Sequence, residues 1–254
     1  MTTFPLATML AEIAPEELSA TLDRVAMEIL TEVHVEQPPV DAFGVAKALG
    51  ITIATDERQP VRARYVRLRS YRGGEPRATI LLRPEPRTER RQWAVAHELG
   101  EHAAFRVFEL LAVDPRETSP LARESIANHL AGRLLLPEPW FSRDAPHCGW
   151  DLLRLKTTYR TASHELIARR MLEFSPTVII TIIDRGRITW RRSNLPGQVP
   201  PPATSEMNCW RSVHRRNRPR QNDDGSIRGW PVHEPDWKRE ILRREVDELD
   251  LDSG

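Results

Sequence analysis

Cysteine is nearly absent: Cys148 and Cys209 are the only two in 254 residues. Two cysteines cannot build a disulfide framework, and these are not in a C-x-x-C pair, so a reducing cytosol is expected and neither a cysteine metal site nor a cysteine nucleophile is. Lysine is also scarce, with Lys47, Lys156 and Lys238 alone among 37 basic residues. An excess of charge of either sign is missing too: 37 basic against 36 acidic residues leave +1. That balance excludes bulk attraction to nucleic acid or an anionic membrane. No apolar run reaches the ~18 residues of a membrane span, and the first residues carry no basic n-region, so a soluble, cytoplasmic protein without a membrane partner is expected. Glycine, at 12, is outnumbered by 21 prolines, which predicts stiff loops. There is no internal repeat.

What is present begins with a helical period. Residues 15–34 place Leu18, Leu22, Val25, Ile29 and Leu30 on one face, with Pro15 at the first position and Glu16 and Glu17 at the positive end. Asp41 caps a shorter helix that Gly50 ends, which gives N-terminal helices over 15–49. Between 51 and 83 the period changes to that of strands: Ile51–Thr55, Val61–Leu68 and Ala78–Leu82. Two long helices follow over 88–136, the second opened by Ser119-Pro120 and stopped by Pro137. Residues 138–150 read as a loop, 151–173 as helices starting best near Ser163, and 177–192 as a hairpin turning at Asp184-Arg-Gly-Arg. Residues 194–236 show little periodicity and read as irregular. Pro235–Leu249 reads as a closing helix with Trp237, Ile241, Leu242 and Val246 on one side. The expected organisation is one domain over 1–193 and a Pro/Arg-rich extension over 194–254.

The chain is organised around Arg91-Gln-Trp-Ala-Val-Ala-His-Glu-Leu-Gly-Glu-His102, where an apolar run ends in four ionisable groups. Charge is rarely placed there without a partner. The nearest pattern with a mechanism is the zinc helix H-E-x-x-H, whose ligands sit one turn apart and whose glutamate is a general base. Here Glu101 follows His97 by four residues and His102 by five. At about 100° per residue, His97 and Glu101 lie about 40° apart and can share an ion, whereas His102 lies about 140° round and stacks over Glu98. His102 joins His97 only on a helix with a π-bulge, which Gly100 would ease. Either His97 and Glu101 or His97 and His102 are therefore the ligands. A third must come from another element, and Glu124 on the next helix is the best placed. Glu98 would then exchange protons with water and a leaving amine. The competing reading is an ordinary charged helix in which Glu98 pairs with His102.

Weaker candidates surround this group. His129 reads as a partly buried histidine, and Asn128 as a donor to a loop. Tyr65 and Tyr159 are possible oxyanion donors, but core or surface roles suit both better. His147, Cys148 and His164 lack a partner at ligand spacing. His233 is a candidate to fold over the site, and the arginine-rich 211–220 run reads as a solvated loop rather than a nucleic-acid surface.

The motifs Pro38-Pro-Val-Asp-Ala-Phe-Gly-Val-Ala-Lys-Ala-Leu-Gly-Ile51, Ala96-His-Glu-Leu-Gly100 and Glu124-x-x-Ala-Asn-x-x-Ala131, ending Leu134-Leu-Leu-Pro137, together resemble the ImmA/IrrE metallopeptidases over about residues 16–175. The resemblance implies an α+β, zincin-like domain: a small three-stranded sheet, a metal-binding helix and a glutamate helix, then helices, a hairpin and a tail. It implies His97 as ligand, Glu98 as general base, Glu124 as further ligand, and zinc as the metal. The family's second histidine falls on Glu101, and a His/Glu/Glu set is harder, which makes manganese a second possibility. The expected substrate is a regulatory protein, such as a helix-turn-helix repressor. The alternative is a non-catalytic relative with an altered metal site. Oligomeric state has no signature in the sequence.

Overall fold

The computed structural model describes residues 13–69, 75–174, 176–233 and 237–246. They form an α+β fold of two compact units. One comprises residues up to 143 with 158–162, the other 144–157 with 163 onward.

In the first unit, α1 (Pro15–Glu32) begins with proline at its first position and buries the expected stripe of Leu18, Leu22, Val25, Ile29 and Leu30. The Asp41 side chain accepts the Phe43 N–H and opens α2 (Ala42–Ala48). A three-stranded sheet follows: β1 (Thr52–Thr55), β2 (Ala63–Leu68) and β3 (Arg77–Leu82). β3 is central, parallel to β1 and antiparallel to β2, so Ile80 and Leu82 are buried and β2 is an outer strand. Helices α3 (Thr88–Leu110) and α4 (Pro120–Leu135) pack together, with Ser119 accepting the Ala122 N–H at the start of α4. Arg133, almost fully buried on α4, reaches Ser19 at 2.9 Å and Asp23 at 3.3 Å on α1.

The next segment corrects the sequence reading. Residues 138–147 form α5 (Glu138–His147), not a loop. Trp140, Phe141 and Ala145 are buried, and the ring of Phe141 lies 5.5 Å from that of Tyr159, a core residue. Two prolines and two aromatics in ten residues hide the helical period.

The second unit contains α6 (Leu152–Thr158) and α7 (His164–Arg170), the latter capped by Ser163 as expected, followed by a 3₁₀ turn. Strands β4 (Val178–Asp184) and β5 (Arg187–Ser193) form the expected hairpin, but it is half of a larger sheet. Helix α8 (Thr204–Arg216) and strands β6 (Arg220–Gln221) and β7 (Ile227–Pro231) occupy the region read as irregular. The expected closing helix over 235–249 is overturned: Arg239–Glu245 is strand β8, and residues 234–236 and 247–254 lie outside the described residues. The antiparallel order is β5-β4-β8-β7-β6. β8 is flanked on both sides and buries Glu240, Ile241, Leu242 and Arg243 in succession, so it shows no alternation, and its buried charges disguise it further. The boundary expected at 193/194 thus falls inside this unit.

The helix α8 packs through Cys209 and Val213 onto Ile183, Ile227 and Leu242. Gly229 permits the approach, because a Cβ there would lie 2.8 Å from Val213 Cγ2 and 2.6 Å from Leu242 Cδ2. Two arginines clamp buried acids. Arg191 grips Glu206 at 2.8 and 3.0 Å, and Arg239 grips Asp184 at 2.6 and 2.9 Å. Burial would raise the Asp184 pKa, but Arg239, with the Thr189 and Trp237 donors, holds it below its ordinary value. No helix among the described residues is long and apolar enough to cross a membrane.

Candidate metal centre

Helices α3 and α4 of the first unit bring three of the expected ligands together. His97 Nε2 lies 3.7 Å from Glu101 Oε1, one turn along α3, and 3.6 Å from Glu124 Oε2 on α4. All three ligating atoms lie within 4.8 Å of one another. Tetrahedral bonds of about 2.1 Å place donors about 3.4 Å apart, so this nitrogen and these two oxygens fit a small divalent ion. The histidine is mostly buried, whereas the Glu101 and Glu124 side chains are 47% and 46% exposed, which leaves one side of the group open to solvent.

The helix α3 is α-helical throughout, without a π turn. That removes the condition under which His102 would join His97, and His102 is absent from the cluster. Its ring packs instead 5.2 Å from that of Tyr65. Nor does His102 pair with Glu98, as the ordinary charged-helix reading required. Glu98 is buried and accepts the backbone N–H of Tyr65 on β2 at 2.6 Å.

Gly100, read from the sequence as easing a bulge, has a different task. A Cβ there would sit 2.5 Å from the Ala127 carbonyl oxygen. Only glycine lets α4 come this close, and the approach brings Glu124 to His97. Asn128 also departs from expectation: its amide donates to the Glu124 carbonyl at 2.9 Å and to its carboxylate at 3.1 Å, holding that side chain in place. The Gln92 side chain ties α3 to α2 by accepting the Ala42 N–H and donating to Asp41. Sequence spacing marks neither Gly100 nor Gln92 as a positioning residue, because both act on elements distant along the chain.

The charges are coupled. Burial lowers the affinity of His97 for a proton, but Glu101, Glu124 and Glu98 outweigh it and raise its pKa. The His97 contact lowers the pKa of Glu101. Burial, then the neighbouring Glu101 charge, raises that of Glu98 against the Tyr65 N–H. His102 is lowered by burial and by Arg106 and Arg67. The Tyr65 hydroxyl is buried without a hydrogen-bond partner, so it is not presented as a solvent-facing donor. His129 contacts Arg133 at 3.3 Å, and His233 contacts Glu240 in the second unit.

The α+β unit thus brings a histidine and two carboxylates together from adjacent helices, a group that could hold a metal ion, and the family that this chain matches has a metallopeptidase-type fold. The chain belongs to the IrrE N-terminal-like (Peptidase_M78) family, whose model matches residues 46–172. No curated protein matches significantly. Among solved structures, a Mycobacterium tuberculosis transcriptional regulator is similar in fold, with a TM-score of 0.61 and 18% identity over 91% of this chain and 80% of that one.

Proposed function

We propose that this protein is a metal-dependent endopeptidase that cleaves a regulatory protein of the repressor type in the cytoplasm. The observation that carries the reading is the His97–Glu101–Glu124 group, with two contacts near 3.6 Å around one imidazole nitrogen, in a chain of a peptidase family. Those three residues would hold the ion. Zinc is the first choice, and the two carboxylates make manganese the alternative. When bound, the ion supplies Lewis acidity towards a carbonyl and acidifies water.

The chain's own groups do the remaining work. Glu98 takes the proton of the attacking water and passes it to the leaving amine, and its raised pKa brings it nearer the working range of a base at neutral pH. The Tyr65 N–H holds one oxygen of that carboxylate, so the other is free to face water. β2 is an outer strand of its sheet, so one of its edges has no strand beside it among the described residues. An extended peptide added to that edge would be held by its backbone beside the reacting group. Gly100 and Asn128 position Glu124.

Glu98→Gln tests the reading. The variant is expected to fold and bind metal as before and to lose cleavage by about 10²–10⁴-fold. Undiminished cleavage would refute the role. A second reading rests on Glu101, which stands where the resembled family carries histidine: a partner-binding relative without hydrolysis. A metal-loaded wild type that cleaves no protein, with Glu98→Gln indistinguishable from it, would favour that reading.

A further inference from the structure

The second unit holds a cluster that the proposed chemistry does not use. His214 on α8, His233 just after β7 and Glu240 on β8 converge from three elements. Nδ1 of His214 and Nε2 of His233 each lie 2.7 Å from Oε1 of Glu240. The two rings stand edge to face, 6.3 Å apart. Trp210, one turn before His214, donates its indole N–H to the other oxygen, Oε2, at 3.0 Å. That bond fixes the carboxylate so that Oε1 faces both imidazoles. Glu240 is fully buried, whereas His233 is 14% and His214 34% exposed.

We propose that His214, His233 and Glu240 form a second metal site, for a divalent ion of the zinc class. A carboxylate wholly removed from water is costly unless a positive charge faces it. Among the described residues, Glu240 is touched by two imidazoles and an indole, and by no guanidinium or ammonium group. The adjacent Arg239 is turned to Asp184 and Glu165 instead. A divalent ion supplies the missing charge, and two imidazole nitrogens with one carboxylate oxygen are donors that zinc and cobalt accept. The ligating atoms lie within 4.8 Å of one another. The 2.7 Å contacts are tighter than the about 3.4 Å between donors on a tetrahedral ion, so loading moves each donor by well under about 1 Å. The exposed flank of His214 leaves a position for water or a further ligand. Trp210 supports the ligating carboxylate from behind, as such outer donors do. The site is independent of the first-unit cluster and of peptidase activity.

Cobalt binding to the full-length chain, followed by visible absorption and elemental analysis after removal of weakly held metal, tests the proposal. His97→Ala, which disables the first-unit cluster, is expected to retain one cobalt per chain with four- or five-coordinate bands. Adding His214→Ala or His233→Ala is expected to abolish those bands, and adding Trp210→Phe to weaken binding by about 10–100-fold. His214 is partly exposed, so circular dichroism of its alanine variant should remain native. A wild type that binds a single cobalt, lost with His214 and not with His97, would remove the first-unit assignment while upholding this one. The proposal is overturned if His97→Ala holds no cobalt, or if its bands survive loss of His214 and His233. Either result leaves a hydrogen-bonded triad only.

Discussion

Replacing Gly100 by alanine puts a methyl group 2.5 Å from the Ala127 carbonyl oxygen and 3.1 Å from its carbonyl carbon and Cα. These are backbone atoms of α4, so no side chain can swing aside. Restoring an ordinary contact moves the helices apart by roughly 1 Å. Alanine gains about 1 kcal/mol of helix propensity over glycine, while overpacking costs about 1–3 kcal/mol, so the net effect on stability is between zero and a loss of about 2 kcal/mol. That is a Tm lowered by at most several degrees. The larger effect falls on metal affinity. Glu124 lies three residues from the point of contact, and its separation from His97 is set by helix spacing. A carboxylate displaced by about 1 Å is expected to weaken metal binding at least about tenfold, by comparison with the loss of outer-shell supports. Calorimetry and metal titration of purified Gly100→Ala measure the two quantities separately. A variant with raised Tm and unchanged metal affinity would refute the argument that this glycine sets the site.

Two other outcomes follow from the same physics. Glu101→His turns a His/Glu/Glu set into the His/His/Glu set of many zinc sites, so zinc affinity should rise by an order of magnitude or more relative to manganese, measured by competition with a chelating dye; unchanged or weaker zinc binding would show that residue 101 is not a ligand. The Asp184 pKa is depressed below its ordinary value of 3.8 by Arg239 and its other donors. A depressed carboxylate contributes stability that is present above its unfolded value and is lost as pH falls through the folded one. The stability gap between wild type and Asp184→Asn in urea titrations should therefore be constant above about pH 4–5 and close as pH falls below 3.8; a gap independent of pH across that window would contradict the coupling.

The sequence made visible what is local. Pro15, Asp41, Ser119 and Ser163 mark helix starts through caps and fixed φ, and each opens a helix in the structure. Helix geometry alone placed Glu101 on the His97 face, and Glu124 was the best carboxylate on the following helix; the three meet. What was not legible acts across the fold. Gly100 shows its purpose only against Ala127, and Asn128 only against the carboxylate beside it. The second unit was misread because β8 buries Glu240 and Arg243 beside Ile241 and Leu242, so hydrophobicity has neither period there. The spacing of Trp237, Ile241, Leu242 and Val246 suits a helix face, yet the sheet contacts of β4 and β7 decided the backbone. His214 and His233 carry no ligand spacing because they lie on separate elements and meet only at Glu240, once β8 has paired with β7 and α8 has packed on the sheet.

The central claim is that α3 and α4 hold an ion between one imidazole and two carboxylates. Anomalous diffraction at the zinc edge, from crystals of the zinc-loaded protein, tests it most directly. A peak is expected about 2.0–2.2 Å from His97 Nε2 and from oxygens of both Glu101 and Glu124. A map with no peak between these side chains, at zinc concentrations that saturate binding in solution, would contradict it.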